Sequence, residues 1–133
     1  MFTSREIARE MGEDASAVRA IFSGIDQAKI FEAAKKRVAY EIWDGSSDIQ
    51  GIPATHWIST GELPSGGKMY LIKDVESNLV IKAQPHAPGG IGRAPMTEAQ
   101  AIAFAVAELN QIALSLAKQE VIKAVDLALD AQA

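Results

Sequence analysis

From Thr97 to Asp130 the chain contains neither glycine nor proline. At 1.5 Å per residue, an unbroken helix of about 34 residues extends roughly 50 Å. That is longer than one compact domain of 133 residues requires, so such a helix must find something to cover its apolar side. TEAQ at its start pairs Thr97 with Gln100 as a capping box. Ile102, Val106, Leu109, Ala113 and Leu116 then recur at three- and four-residue spacing, and Val121, Val125 and Leu129 resume the pattern with a phase shift. Ile112, Leu114, Ile122 and Leu127 widen the apolar surface beyond a narrow seam. The pattern predicts self-association, in the simplest case a homodimer, with Ile102, Val106, Leu109, Leu116, Val125 and Leu129 at the interface. The competing arrangement folds this helix back over the rest of its own chain.

The N-terminal residues 1–44 read as three helices. Thr3 and Glu6 form a capping box for the first, whose apolar face carries Ile7, Ala8 and Met11. Gly12 stops it and Asp14 caps a second helix bearing Ala17, Val18 and Ile21. Gly24 is placed to end that helix in a left-handed conformation. Asp26 caps a third, in which Ile30, Ala34, Val38 and Ile42 extend helical spacing as far as residue 43.

Residues 45–84 begin as an irregular Gly-, Pro- and Ser-rich segment and end in a β-hairpin. There KMYLIKD and LVIKAQ flank a Glu76-Ser77-Asn78 turn. Two strands alone are marginal in water, so the hairpin must pack on helices or pair with another chain. Residues 85–96 form a Pro/Gly linker ahead of the helix of 97–133. The expected fold class is α+β, mainly α: an N-terminal three-helix unit, a central hairpin and a long C-terminal helix.

Chemistry-bearing residues are sparse. The chain has no cysteine, which excludes disulfides, thiolate metal sites and cysteine nucleophiles. His56 and His86 are far apart with no acidic partner at ligand spacing, so no metal is expected. PGGIGRAP lacks the Lys-Ser/Thr ending of a phosphate loop and the glycine spacing of a dinucleotide fingerprint. No acid–base or nucleophile constellation can be assembled, and neither enzyme activity nor a cofactor is expected. No continuous apolar run approaches the ~18 residues of a membrane span, and MFTSREIARE lacks the blocks of a signal peptide. A cytoplasmic protein without membrane contact is expected, or a virion component if its role is structural.

The most informative stretch is IAREMGEDASAVRAI, residues 7–21. A small residue, Ala8, sits inside the first helix, Gly12 follows four residues later, and Val18 and Ile21 anchor the next helix together with Ile7. At these positions the stretch resembles the helix-turn-helix superfamily, in which one short helix crosses another and is presented to the DNA major groove. The resemblance covers residues 3–22 and identifies no particular family. It implies a double-stranded DNA partner, with Ser16, Arg19, Ala20 and Ser23 as the base-facing residues and Arg19 matched to guanine acceptors. Arg5, Arg9, Lys29, Lys35, Lys36 and Arg37 would then contact phosphates. A second likeness lies in HWISTGELPSGGKMYLIKDVES, similar to excisionase-type winged helices, although Gly51 and Pro53 truncate the helix before Trp57. It would make the hairpin a wing carrying Lys68, Lys73 and Lys82.

Charge points the other way. The net charge is −4, the wrong sign for coating nucleic acid non-specifically. Residues 1–44 hold seven Lys/Arg against eight Asp/Glu, so DNA contact requires a local patch. Glu13 and Asp14 stand where phosphates would approach. Two readings follow: a small bacterial or phage DNA-binding protein of regulator or packaging type, or a phage structural, assembly or inhibitor protein that binds another phage or host protein.

Overall fold

A computed structural model of the chain describes residues 1–43, 69–84 and 98–132. Its elements are α1 (Ser4–Met11), α2 (Ala15–Phe22), α3 (Gln27–Lys35), β1 (Val38–Trp43), β2 (Met69–Asp74), β3 (Val80–Gln84) and α4 (Glu98–Gln132). The class is α+β and mainly helical, with one small antiparallel sheet and a long C-terminal helix. Two compact units divide the chain: Met1–Lys35 with Ile112–Ala133, and Lys36–Gln111.

Local closures explain the first unit's helix ends. Thr3 stands in extended conformation and its side chain accepts the Glu6 N–H at 3.1 Å. At the other end of α1, Gly12 is left-handed (φ 70°, ψ 29°), its N–H donates to the Arg9 carbonyl, and the Glu13 N–H donates to the Ala8 carbonyl at 2.9 Å. That pair of bonds is a Schellman closure. Asp14 caps α2 by accepting the Ser16 N–H at 2.8 Å. Asp26 accepts the Lys29 N–H at 3.1 Å at the start of α3. Gly24 does not take the expected left-handed conformation. Ser23 ends α2 with right-handed geometry (φ −63°), and the Ile25 N–H donates to the Phe22 carbonyl, so the turn closes without a positive φ.

Ile7, Ala8 and Val18 are buried together with Val121 and Val125 of α4. Phe2, Met11, Ile21, Phe22, Ile30 and Leu129 pack around them. Lys118 of α4 pairs with Glu10 and places its ammonium 5.8 Å from the centre of the Phe2 ring.

The expected third helix stops at Lys35, eight residues short of its predicted end, and in the second unit Val38–Trp43 forms a strand. Val38 and Ile42 are four residues apart, a spacing that satisfies both the helical and the strand period. The sequence VAYEIW is rich in β-branched and aromatic residues, which favour the pleated form once a partner strand is present. That partner is β2, paired antiparallel from Val38 opposite Asp74 to Trp43 opposite Met69. The sheet order is β1-β2-β3, with an irregularity between Ile72 and Lys73. Leu71 and Ile72, adjacent on β2, are both buried. The β2–β3 turn closes at Asn78 (φ 59°), and the Asp74 carboxylate accepts the Ser77 N–H at 2.8 Å and its hydroxyl at 2.7 Å. Lys82 of β3 pairs with Glu108 of α4 at 2.7 Å.

Along α4 the fully buried positions are Ala101, Ala105, Ala113, Ala117, Val121 and Val125. They differ from the expected alternation of three and four. A spacing of four slips about 40° at each step, so the buried line winds around the helix. By length, and by the mean hydropathy of its most apolar 18-residue window (1.3), Ala99–Gln132 meets the criteria for crossing a bilayer, and 17% of that window is buried within the chain. This departs from the reading of the sequence, because the hydropathy is spread among polar residues instead of forming a continuous run.

Candidate nucleic-acid interface

The α1–α2 pair depends on two small residues. Ala8 is 2% exposed and shares a cluster with Val18, which is fully buried. The methyl group of Ala8 thus lies in the same buried cluster as Val18 while its carbonyl closes the Schellman turn. A Cβ added at Gly12 would meet no atom within 4 Å, so glycine is required there for its positive φ and not for space.

With Val18 turned inward, 100° per residue carries Arg19, Ser23, Ser16 and Ala20 onto the opposite side of α2. All four are exposed. Their hydrogen-bonding capacity is unequal. The Ser16 hydroxyl donates to Asp14 Oδ1 at 2.9 Å, and the Ser23 hydroxyl donates to the Ala20 carbonyl at 2.9 Å. Both protons are committed, which leaves these hydroxyls as acceptors. Ala20 offers only a methyl group. Among the described residues, Arg19 makes no side-chain hydrogen bond or ion pair, so its donors are available.

The phosphate candidates separate likewise. Arg5 and Arg9 lie four apart on α1, and Lys29 begins α3; all are exposed, and none forms an ion pair among the described residues. Lys35 is different: it pairs with Glu32 at 2.8 Å and lies 4.9 Å from the Phe31 ring centre, so its charge is already answered. Lys36 and Arg37 are not on a helix, as the sequence had implied, but in the turn between α3 and β1. There they line a shallow cleft with Asp74, Val75 and Glu76, where two carboxylates oppose an incoming phosphate. On the hairpin, Lys73 pairs with Glu41 and Lys82 with Glu108, so neither offers a free cation to a wing contact. Lys68, and the excisionase-like stretch up to it, lie outside the described residues, as do His56, His86 and the Pro/Gly linker.

Asp14 is the electrostatic counterweight. The Ser16 backbone N–H, then its hydroxyl, hold this carboxyl below the usual carboxylate range. It stays ionised at the start of α2, with exposed Glu13 beside it.

The α4 residues read as an interface also divide. Val125 is fully buried in its own chain's core and Leu129 packs against that core, so Val125 has no surface left for a second copy. Ile102, Leu109 and Leu116 are half-buried, and Val106 is 40% exposed. No group of His, Asp or Glu among the described residues is arranged to hold a metal ion.

No family model, no curated protein and no solved structure matches this chain.

Proposed function

We propose that this chain is a small, non-enzymatic DNA-binding protein that inserts α2 into the major groove and self-associates through α4. The observation that carries the reading is the burial of Ala8 and Val18 in one cluster, which leaves the far side of α2 in solvent with Arg19 unpaired among the described residues. Arg19 supplies the base contact and Arg5, Arg9 and Lys29 supply phosphate contacts. Lys35, Lys36 and Arg37 drop out of the first rank because carboxylates stand beside or opposite them. A regulator or packaging role in a bacterium or phage, acting in the cytoplasm, follows from this reading.

The test is fluorescence anisotropy on random duplex DNA across a salt series. Each phosphate contact contributes a slope of about 0.9 in log affinity against log salt, so three contacts give a slope near −3. Arg9→Ala should lower that slope by about one. Arg19→Ala should cost about 1–3 kcal/mol on a selected site and little on random DNA.

A second reading is favoured by the ionised Asp14 beside Glu13 and by the net charge of −4. In it the same face of α2 binds a basic protein surface in a phage assembly or inhibitory role. Absence of duplex binding at low salt selects that reading over the first.

A further inference from the structure

We infer that Ser16 and Ser23 make α2 selective for amino-bearing bases, adenine or cytosine, on either side of the guanine that Arg19 reads. The inference rests on the proposed DNA-binding reading and deepens it from a docking mode to a class of target sequence. Both serines are exposed, and at 100° per residue they lie within about 20° of each other on the side of α2 away from Val18. Arg19 lies between them along the helix axis, about 4.5 Å from the level of Ser16 and about 6 Å from that of Ser23. With bases stacked about 3.4 Å apart, those intervals correspond to one or two base steps.

The direction of each hydroxyl is fixed by its partner. Ser23 Oγ lies 2.9 Å from the Ala20 carbonyl, and a carbonyl only accepts. That carbonyl belongs to the last turn of α2, where carbonyls run out of backbone donors. Ser16 Oγ lies 2.9 Å from Asp14 Oδ1, which also accepts the Ser16 N–H at 2.8 Å. Those bonds hold the Asp14 carboxyl below the usual carboxylate range, so near neutral pH it is ionised and has no proton to give. Each serine therefore spends its one proton inside the protein and turns only lone pairs outward.

A lone pair in the major groove discriminates by chemical class. Adenine N6 and cytosine N4 donate there, while guanine O6 and thymine O4 only accept. An acceptor-only hydroxyl thus bonds an amino base and is repelled by a keto base. A serine free to rotate its proton outward accommodates either. Asp14 is then a positioning residue, acting through Ser16 by fixing the polarity of that hydroxyl. Arg19, which carries only donors, is matched to the opposite class.

Selection from a randomised duplex library with the full-length chain, followed by anisotropy on single-base variants of the selected site, tests this. The site should hold two positions near the Arg19-dependent guanine where adenine or cytosine binds roughly fivefold or more better than guanine or thymine. Ser16→Ala should abolish the preference at one of them and Ser23→Ala at the other. Asp14→Asn keeps an oxygen that accepts from Ser16, so it should retain the preference while raising affinity for every sequence. Asp14→Ala frees the hydroxyl and should lose the preference at the Ser16 position alone, at a temperature where circular dichroism shows the variant folded. A selected, Arg19-dependent site with guanine, thymine or no preferred base at these positions overturns this inference and leaves DNA binding standing. So does a preference that survives both Ser16→Ala and Ser23→Ala. Failure to enrich any duplex overturns the DNA-binding reading itself, and this inference with it.

Discussion

Phe2 and Gln27 exchange two hydrogen bonds: the Phe2 N–H donates to Gln27 Oε1 at 2.9 Å, and Gln27 Nε2 donates to the Phe2 carbonyl at 3.0 Å. The side-chain amide acts as a strand partner would, tying the residue before the Thr3 cap of α1 to the first turn of α3. It also holds the Phe2 ring beneath Lys118. Each such bond contributes about 0.5–1.5 kcal/mol net. Gln27→Ala should therefore lower stability in urea denaturation by roughly 1–3 kcal/mol.

Gly12 separates conformational from steric cost. Its φ of 70° strains any residue with a Cβ, yet no neighbouring atom would be struck. Gly12→Ala should destabilise by about 1–2 kcal/mol, and Gly12→Asn by less, because asparagine visits left-handed geometry more readily. Equal losses in chemical denaturation would point to a clash that the geometry does not contain.

Asp14 and Asp74 give stability a defined dependence on acid. Both carboxyls are held below their ordinary value of 3.8, in each case first by a serine N–H and then by that serine's hydroxyl, from Ser16 and Ser77 respectively. A depressed folded-state value means the contribution is complete above the unfolded value and disappears as pH falls through the lower, folded one. The difference in melting temperature between the native chain and Asp14→Ala should be constant near neutrality and shrink between about pH 5 and pH 2. A difference that grows toward acid would reverse the assignment.

Val125 and Val106 separate the core from the open face of α4. Val125 is fully buried and Val106 is 40% exposed. Val125→Ala should cost about 2 kcal/mol through lost transfer energy and a residual cavity. Val106→Ala should change stability by less than about 0.5 kcal/mol at a dilution where the chain is monomeric. Thermal melts of the two variants decide it.

Features that close within three or four residues were legible in the chain itself. Thr3, Gly12, Asp14 and Asp26 bond to backbone groups a few positions away, so the residue type carries its own geometry. The hairpin turn at Ser77 and Asn78 is equally local. The candidate site was legible in part. Ala8, Gly12 and Val18 fall where a crossing helix requires them, but nothing in residue spacing reveals that Lys35, Lys73 and Lys82 already have carboxylate partners. Those partners at Lys73 and Lys82 are more than twenty residues distant in sequence.

The sequence by itself determined where the first two helices begin and end and where the third begins, that residues 69–84 turn back on themselves, and that a long helix closes the chain. Each outcome follows from bonds made within one turn of backbone. Tertiary structure decided that Val38–Trp43 is a strand and which line of α4 is buried. A strand has no hydrogen bonds of its own, so β1 exists only because β2 lies beside it. The buried side of α4 was likewise unreadable. Ala101, Ala105, Ala113 and Ala117 are enclosed while the larger Val106 and Leu127 remain in water. Burial there reflects how closely a neighbour can approach the backbone, which hydrophobicity along the chain does not encode.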